Sequence, residues 1–399
     1  MKFLHLGDLH LGRTLGDFDL IEDQRYMLDR ILEILKETQA DAVFIAGDVY
    51  DKSIPSEAAV RLLDRFLGSL AEAQIKTFLI SGNHDSDDRL HFGSRFFEAG
   101  GIQICARFDG KIGHYVLTDE YGPVHIWMLP FVKASRVRYY YPEAGINSYE
   151  DAVRTILENA GIDPNERNLL IAHQFVSGAA DPQLAGSEGA AVQNVGLVEK
   201  IGAGIFKDFE YVALGHIHSP QPAGAEQIRY SGSLLKYSLS EAGNAKSAPL
   251  VTIGPKKSLP EENGTSCPVQ IELIPLKPQR DLRRLRGPLN QLLNPANVTD
   301  TDDYIYATLT DEEPVQDAMG IFRQYYPNTV RIDYDNAHTK AVIREGLAEQ
   351  TENKSFTDLI SDFYRQMYGC EISEEELGIM LEAAEAAGVP VPAEGRREV

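Results

Sequence analysis

Five short apolar runs in this chain each break off into residues that bind metals or move protons, and this pairing restricts the fold more than any other feature. Lys2-Phe3-Leu4-His5-Leu6 leads to Asp8-Leu9-His10, Ala42-Val43-Phe44-Ile45-Ala46 to Gly47-Asp48-Val49-Tyr50-Asp51, and Thr77-Phe78-Leu79-Ile80 to Ser81-Gly82-Asn83-His84-Asp85. Further along, Leu169-Leu170-Ile171-Ala172 is followed by His173, and Tyr211-Val212-Ala213-Leu214 by Gly215-His216-Ile217-His218. Such runs read as buried strands, and the carboxyl ends of strands are where α/β sheets gather ligands. Helical periodicity lies between them, in Met27, Leu28, Ile31, Leu32 and Leu35, and after Pro55-Ser56 in Ala59, Val60, Leu63, Phe66, Leu67 and Leu70. Alternating strands and helices predict an α/β domain whose crossovers leave Asp8, Asp48 and Asn83 on one edge, reached also by His173, His216 and His218 from later strands.

Asp, Asn and His without Cys form an oxygen and imidazole ligand set suited to Mn, Fe or Zn and open to Mg. Asp8, His10, Asp48, Asn83, His173, His216 and His218 match the needs of two ions sharing one carboxylate, and Asp48, alone between glycine and valine at a strand end, is the expected bridge. Two ions roughly 3.5–4 Å apart polarise a phosphoryl oxygen and lower the pKa of a shared water. The leaving alkoxide then needs a proton, and His84, beside Asn83 but out of phase with it, is the expected general acid, with Asp51 or Asp85 supporting it. Each motif alone is commonplace, and a single histidine at a strand end is more often structural; the ordered conjunction of five is what carries weight. His5, His91, His114, His125 and His338 lack that context and read as structural or surface groups.

The chain has 399 residues and a net charge of −22, which excludes a generally basic nucleic-acid binder. A polyphosphate substrate therefore has to be met by metal ions and local basic patches. Arg280, Arg283, Arg284 and Arg286 form the densest cluster; ordinarily a solvated face, in an acidic chain it is a candidate contact for a phosphate backbone. The stretch from Phe131 to Tyr141 interleaves cations with aromatics, and reads either as a surface that holds phosphates and stacks bases or as a loop of snorkelling cations and buried rings. Three cysteines in no CxxC spacing indicate neither a disulfide framework nor a thiolate metal site, so a reducing cytoplasm is expected. No run is long enough to span a bilayer, and the opening residues meet a charge too early for a signal-peptide core, so no membrane role is expected.

Three segments are expected. Residues 1–265 form the α/β domain, ending near the polar stretch Gly254 to Gly264, which reads as a hairpin loop or a boundary. Residues 266–340 carry strand patterns at Val269–Leu273, Tyr304–Leu309 and Val330–Tyr334, with helical spacing from Gln316 to Tyr325. The acidic tail, 341–399, carries capping-box spacings at Ser355 with Asp358 and at Ser373 with Glu376. Each precedes an apolar face, Phe356, Leu359, Ile360 and Phe363 in one and Leu377, Met380 and Leu381 in the other, which either folds back on the body or docks on another protein.

Asp-x-His, Gly-Asp-x-x-Asp, Gly-Asn-His-Asp, His and Gly-His-x-His, in this order, reproduce the five-block signature of the calcineurin-like metallophosphoesterase family, which this chain therefore resembles. The resemblance implies a four-layer αββα sandwich with a smaller α+β capping domain and a C-terminal helical tail. It puts two divalent ions, Mn in the first instance, on the seven positions above and the general acid on His84. His173-Gln174-Phe175-Val176-Ser177-Gly178 and the region from Ile228 to Ser238 are similar to nuclease subunits that work with a coiled-coil ATPase. That similarity implies Mn-dependent DNA cleavage under ATP control, a tail docked on the ATPase, and a homodimer within a heterotetramer. Gly7 and Leu9 depart from the Ser and Trp of the first block at positions that hold no metal. Two rivals stand beside this reading: a phosphodiesterase of nucleotides or other small esters, for which a large second domain is unnecessary, and a non-catalytic scaffold, against which the full ligand set counts.

Overall fold

The computed structural model describes residues 1–188, 200–259, 264–266, 268–313 and 315–336, with 357, 360–361, 364, 372–373 and 376–381 of the tail. Its first sheet contains β1 (Lys2–Leu6), β2 (Ala42–Ala46), β3 (Lys76–Ile80) and β4 (Ile102–Cys105), all parallel neighbours in that order. The second contains β5 (Gly113–Asp119), β6 (Gly122–Leu129), β7 (Arg167–His173), β8 (Tyr211–Gly215), β9 (Gln221–Ala225) and β10 (Ile228–Tyr230), in the order β9-β10-β8-β7-β6-β5. Two later strands, β11 (Lys246–Ile253) and β12 (Val269–Leu276), return to extend the first sheet antiparallel beyond β1. The first strand pattern of the expected second segment thus lies in the first sheet, paired with β11 along its whole length. Both flanks of the expected boundary at residue 265 are strands of one sheet.

Side-chain alternation explains why the sheets stack. In β2, Ala42, Phe44 and Ala46 face the second sheet, and Val43 and Ile45 face the helices. In β7, Leu169 and Ile171 meet that inter-sheet core, and Leu170 and Ala172 turn to the other side. Strands buried on both faces read as continuous apolar runs, which is why these were legible in the sequence. Helices α1 (Ile21–Thr38) and α2 (Glu57–Glu72) cover the outer face of the first sheet, while α3 (Ala134–Tyr140) and α4 (Tyr149–Glu158) cover that of the second. The result is the αββα sandwich. Ser56 caps α2 by accepting from the Ala59 amide at 3.2 Å, and Ser148 with Asp151 forms a capping box on α4. Val60, counted in the apolar stripe of α2, is exposed; Leu62 is buried instead.

A third sheet is formed by β13 (Leu282–Gly287), β14 (Tyr304–Leu309) and β15 (Thr329–Tyr334), in that order. The chain divides into a larger unit of Met1–Leu285, Leu293–Ala307 and Asp317–Ile332 and a smaller one of Arg286–Leu292, Thr308–Gln316 and the residues from Asp333 on. In the tail, Thr357, Ile360, Ser361 and Tyr364 are helical, as are residues 376–381. The second capping box is present: Ser373 Oγ accepts from the Glu376 amide at 3.3 Å, and the Glu376 carboxylate accepts from the Ser373 amide at 3.1 Å. Phe356, Leu359 and Phe363 lie outside the described residues. Among those described, no helix is long and apolar enough to cross a membrane.

Candidate metal centre

The five motif loops converge at the carboxyl ends of β1, β2, β3, β7 and β8. The backbone there is unusual: Asp8, His10, Asp48 and His216 all have positive φ, at 51, 44, 48 and 101 degrees. Non-glycine residues in this region carry strain of about 1–3 kcal/mol each and cluster at functional sites. Gly82 has a steric reason to be glycine, since a Cβ there would overlap the Asp48 carboxylate and backbone nitrogen.

Hydrogen bonds across the sandwich fix the carboxylates and rings. Asp8, from the first sheet, accepts from the His216 amide of the second at 2.9 Å, and Asp48 accepts from the His84 amide at 2.9 Å. His173 Nδ1 donates to the Ala46 carbonyl at 2.7 Å, which turns its Nε2 to the Asp48 carboxylate, 3.4 Å away, and to Asn83 Oδ1 at 3.0 Å. His216 Nδ1 reaches the same Asn83 oxygen at 2.9 Å. On the other side of Asp48, His10 Nε2 stands 3.6 Å from its carboxylate and 3.0 Å from His218 Nε2. Ligand atoms of Asp8, His10 and His218 lie within 4.8 Å of one another, as do those of Asp8, Asp48 and His173. All seven expected ligand positions are therefore gathered, with Asp48 between the two groups of histidines.

This donor set fits a pair of divalent cations. Its inward-facing ring nitrogens meet one another or a shared amide oxygen: His10 Nε2 lies 3.0 Å from His218 Nε2, and His173 Nε2 and His216 Nδ1 converge on Asn83 Oδ1. Burial pushes the Asp8 carboxyl up to about 7. Burial acts on Asp48 in the same sense, but the adjacent His173 outweighs it and holds Asp48 well below the ordinary carboxylate range. Burial disfavours charge on His173, yet Asp48 raises it to about 9. Burial keeps His10, His216 and His218 neutral, with His216 down at about 3. Buried carboxylates facing a set of mostly neutral imidazoles make a site that calls for positive charge. Having no thiolate, it is compatible with Mn, Fe, Zn or Mg.

His84 is half-buried at the rim, its ring centroid 4.8 Å from that of His10. Its Nδ1 donates to the Asp51 main-chain carbonyl at 2.9 Å, which leaves Nε2 outside that bond. The expected support from Asp51 thus comes through its backbone, since its carboxylate pairs with Arg13 at 3.1 Å. Asp85 does something else: buried, and pushed up to about 7 by that burial and by Asp48, it accepts from the amides of Gly82, Val49 and Tyr50 and so ties the second motif loop to the third.

Sequence reasoning missed a buried network behind His218. Ser187 Oγ lies 2.6 Å from His218 Nδ1 and donates to Glu241 at 2.5 Å, and Lys246 pairs with Glu241 while donating to the His218 carbonyl at 2.8 Å. Glu188 accepts from the His218 amide at 3.2 Å. The basic cluster is largely paired: Arg280 with Asp23, Arg283 with Asp303, and Arg286 with Asp335, leaving Arg284 exposed on β13 without an ion pair among the described residues. Of the other histidines, His5 is buried and bonded to Tyr211 at 2.9 Å, and His114 stacks on Trp127 with its Nε2 2.9 Å from His125 Nδ1.

Comparison with known proteins gives two family matches. The sequence profile of the calcineurin-like phosphoesterase family matches residues 1–220. That of the SbcD C-terminal domain, described as the type 5 capsule protein repressor C-terminal domain, matches residues 278–368. Among solved structures, TT1561 of Thermus thermophilus is 12% identical at a TM-score of 0.36, over 62% of this chain and 92% of its own. A dimetal phosphatase from Danio rerio is 10% identical at a TM-score of 0.35, over 69% of this chain and 99% of its own.

Proposed function

The chain belongs to the calcineurin-like phosphoesterase family, and from that premise we propose that it is a Mn-dependent DNA phosphodiesterase, the nuclease subunit of an SbcC–SbcD-type complex. The observation that carries this reading is the convergence of seven oxygen and imidazole donors beside His84, in a chain whose later part matches the SbcD C-terminal domain. Its substrates are double-stranded ends, for exonuclease action, and single strands and hairpins, for endonuclease action. Its roles are in DNA repair, recombination and replication, in the cytoplasm. The partner is a coiled-coil ATPase of the SbcC type, two copies of each chain forming a heterotetramer.

Asp8, His10, Asp48 and His218 would hold one divalent ion, and Asp48, Asn83, His173 and His216 the other. Bound there, the ions supply Lewis-acid polarisation of the phosphoryl group and a water poised for in-line attack. The remaining work is done by the chain. With Nδ1–H committed to the Asp51 carbonyl, His84 presents Nε2–H to the leaving oxygen; as the P–O bond breaks, that proton passes to the alkoxide, the new P–O bond forms from water, and the water's proton leaves to solvent, from which His84 is reprotonated. Asp85 holds the loops that carry Asp48 and Asn83 in register during this step.

The test is cleavage of labelled duplex, hairpin and single-stranded DNA with Mn, with Mg and with chelator, beside a chromogenic phosphodiester. His84→Ala is expected to keep its bound metal and lose about 100-fold or more in turnover. Unchanged turnover removes His84 from the mechanism, and ester hydrolysis without DNA cleavage, even with the ATPase and ATP present, favours the small-substrate reading.

A further inference from the structure

We propose that the groove running from Asn83 past Phe131 and along α3 is the track for a single strand of DNA, with Lys133 and Arg136 on its phosphates and Tyr139 stacked on a base. The proposal rests on the nuclease reading and states how that site takes its substrate. The groove has a volume of about 700 Å³ and starts at the metal centre itself, because Asn83, exposed at its end, is a candidate ligand. Phe131 forms the adjoining wall. Its ring stacks on His216, with centroids 6.4 Å apart and planes 21 degrees apart, and meets His173 edge-on at 6.3 Å. A strand leaving the scissile phosphate by this route therefore meets an aromatic face first.

The next element supplies the cations. α3 buries Ala134 and Val137, three residues apart, so that Ser135, Arg136, Arg138 and Tyr139 face outward. Tyr139 is 76% exposed, an unusual position for a ring of this size, and covering it with a base removes apolar area from water. Arg136 is steadied by the Tyr140 ring, 5.3 Å away, and by long bonds to the Phe108 carbonyl at 3.4 Å. Among the described residues neither Lys133 nor Arg136 has a carboxylate within 4.0 Å, whereas Arg280, Arg283 and Arg286 each have one. Asp87 and Asp88 also line the groove; Arg107 pairs with Asp88 at 2.9 Å and Asp87 feels the charges of both Arg107 and Arg136, so of the groove's cations Lys133 is the least compensated. Stacking on Tyr139 needs an unpaired base, and this selects a single strand over a duplex.

The test uses the full Mn-loaded chain, a labelled single-stranded oligodeoxynucleotide and the small chromogenic phosphodiester, whose turnover reports the metal centre alone. In the Lys133→Ala/Arg136→Ala variant, the ratio of oligonucleotide cleavage to ester turnover is expected to fall about tenfold or more. Its slope of log affinity against log salt should shrink by about 1.4, at roughly 0.7 per lost phosphate contact. Tyr139→Ala is expected to weaken oligonucleotide binding roughly 5- to 150-fold, the range for one stacked base, with Tyr139→Phe restoring most of it. If the unaltered chain cuts the oligonucleotide and these variants match it in ratio, salt slope and affinity, the groove assignment is overturned and the nuclease reading survives. An unaltered chain that hydrolyses the ester but, even with the ATPase and ATP present, neither binds nor cuts the oligonucleotide overturns both.

Discussion

His218 owes its orientation to a serine thirty-one residues earlier in the chain. The Glu241 carboxylate accepts from Ser187 Oγ, so the lone pair of that hydroxyl receives the proton on His218 Nδ1 and Nε2 is left bare toward His10 and Asp8. Ser187→Ala frees Nδ1 and lets the ring change tautomer. Apparent Mn affinity is expected to drop about 10- to 100-fold, as is usual when a group orienting a ligand is lost, while turnover at saturating Mn recovers. Titrating activity against Mn, with calorimetry on the same samples, checks this; an unchanged affinity reduces Ser187 to packing. The candidate ligands were legible as a cluster because this chemistry admits little besides Asp, Asn and His, each placed where an apolar run stops. Ser187, Glu241 and Lys246 were not, since serine, glutamate and lysine have ordinary surface uses and their spacing along the chain carries no period. The left-handed backbone at Asp8, His10, Asp48 and His216 is equally silent in the sequence, where only the neighbouring glycines hint at tight turns.

At the scale of elements, runs buried on both faces announced the strands, and amphipathic spacing announced α1 and α2, because each pattern follows from one local geometry. Pairing partners are different. β12 alternates like an edge strand wherever it is placed, and only the return of β11 beside β1 puts it in the first sheet. Three of the four clustered arginines lie on strand β13, where Arg283 and Leu285 alternate with the exposed Arg284 and Arg286, while Arg280 precedes the strand. A clamp on the second sheet was also invisible. Arg167, 2% exposed at the start of β7, donates to Asp119 at the end of β5 at 3.0 Å and to the carbonyls of Gly122, Pro123 and Gly254. The Arg167 guanidinium holds the Asp119 carboxyl below its ordinary range. With the folded pKa depressed below an unfolded value of about 3.9, the pair contributes stability above that pH and loses it as pH falls toward the folded value. Asp119→Asn is expected to cost about 1–2 kcal/mol at pH 7, between the values for exposed and buried pairs, because Asp119 is half-buried and the carbonyls still receive the guanidinium, although the Met1 ammonium loses the same partner. Urea unfolding at pH 7 and at pH 3 should show the gap to the unaltered chain narrowing at the lower pH; an equal gap at both rules out an ionic contribution.

At the scale of the whole molecule, the candidate hydrolytic site and the proposed partner-docking tail fall in separate stretches of chain. Every residue of the metal centre and its supporting network lies between Asp8 and Lys246, and the phosphoesterase match ends at 220. The SbcD C-terminal match begins at 278 and runs to 368, so removing the chain from Ser355 onward cuts into it. What is removed includes an apolar surface: in the helical stretch 376–381, Ile379 is 62% exposed and Met380 37% exposed, beside Leu377 and Leu381. Exposed apolar side chains on a helix lose water only by meeting another surface, and the charged composition around them disfavours burial in a core of their own. Truncation before Ser355 is therefore expected to abolish association with the SbcC-type ATPase while Mn binding and turnover of a small phosphodiester stay near those of the full chain. Size-exclusion chromatography of the mixed proteins, with ester turnover measured on the same preparations, separates the outcomes. A complex that survives truncation moves the interface out of the tail and into the first 354 residues. Loss of both association and turnover would mean instead that the tail is needed for the folded state, and the two activities would then have to be separated by point substitutions at Leu377, Met380 and Leu381.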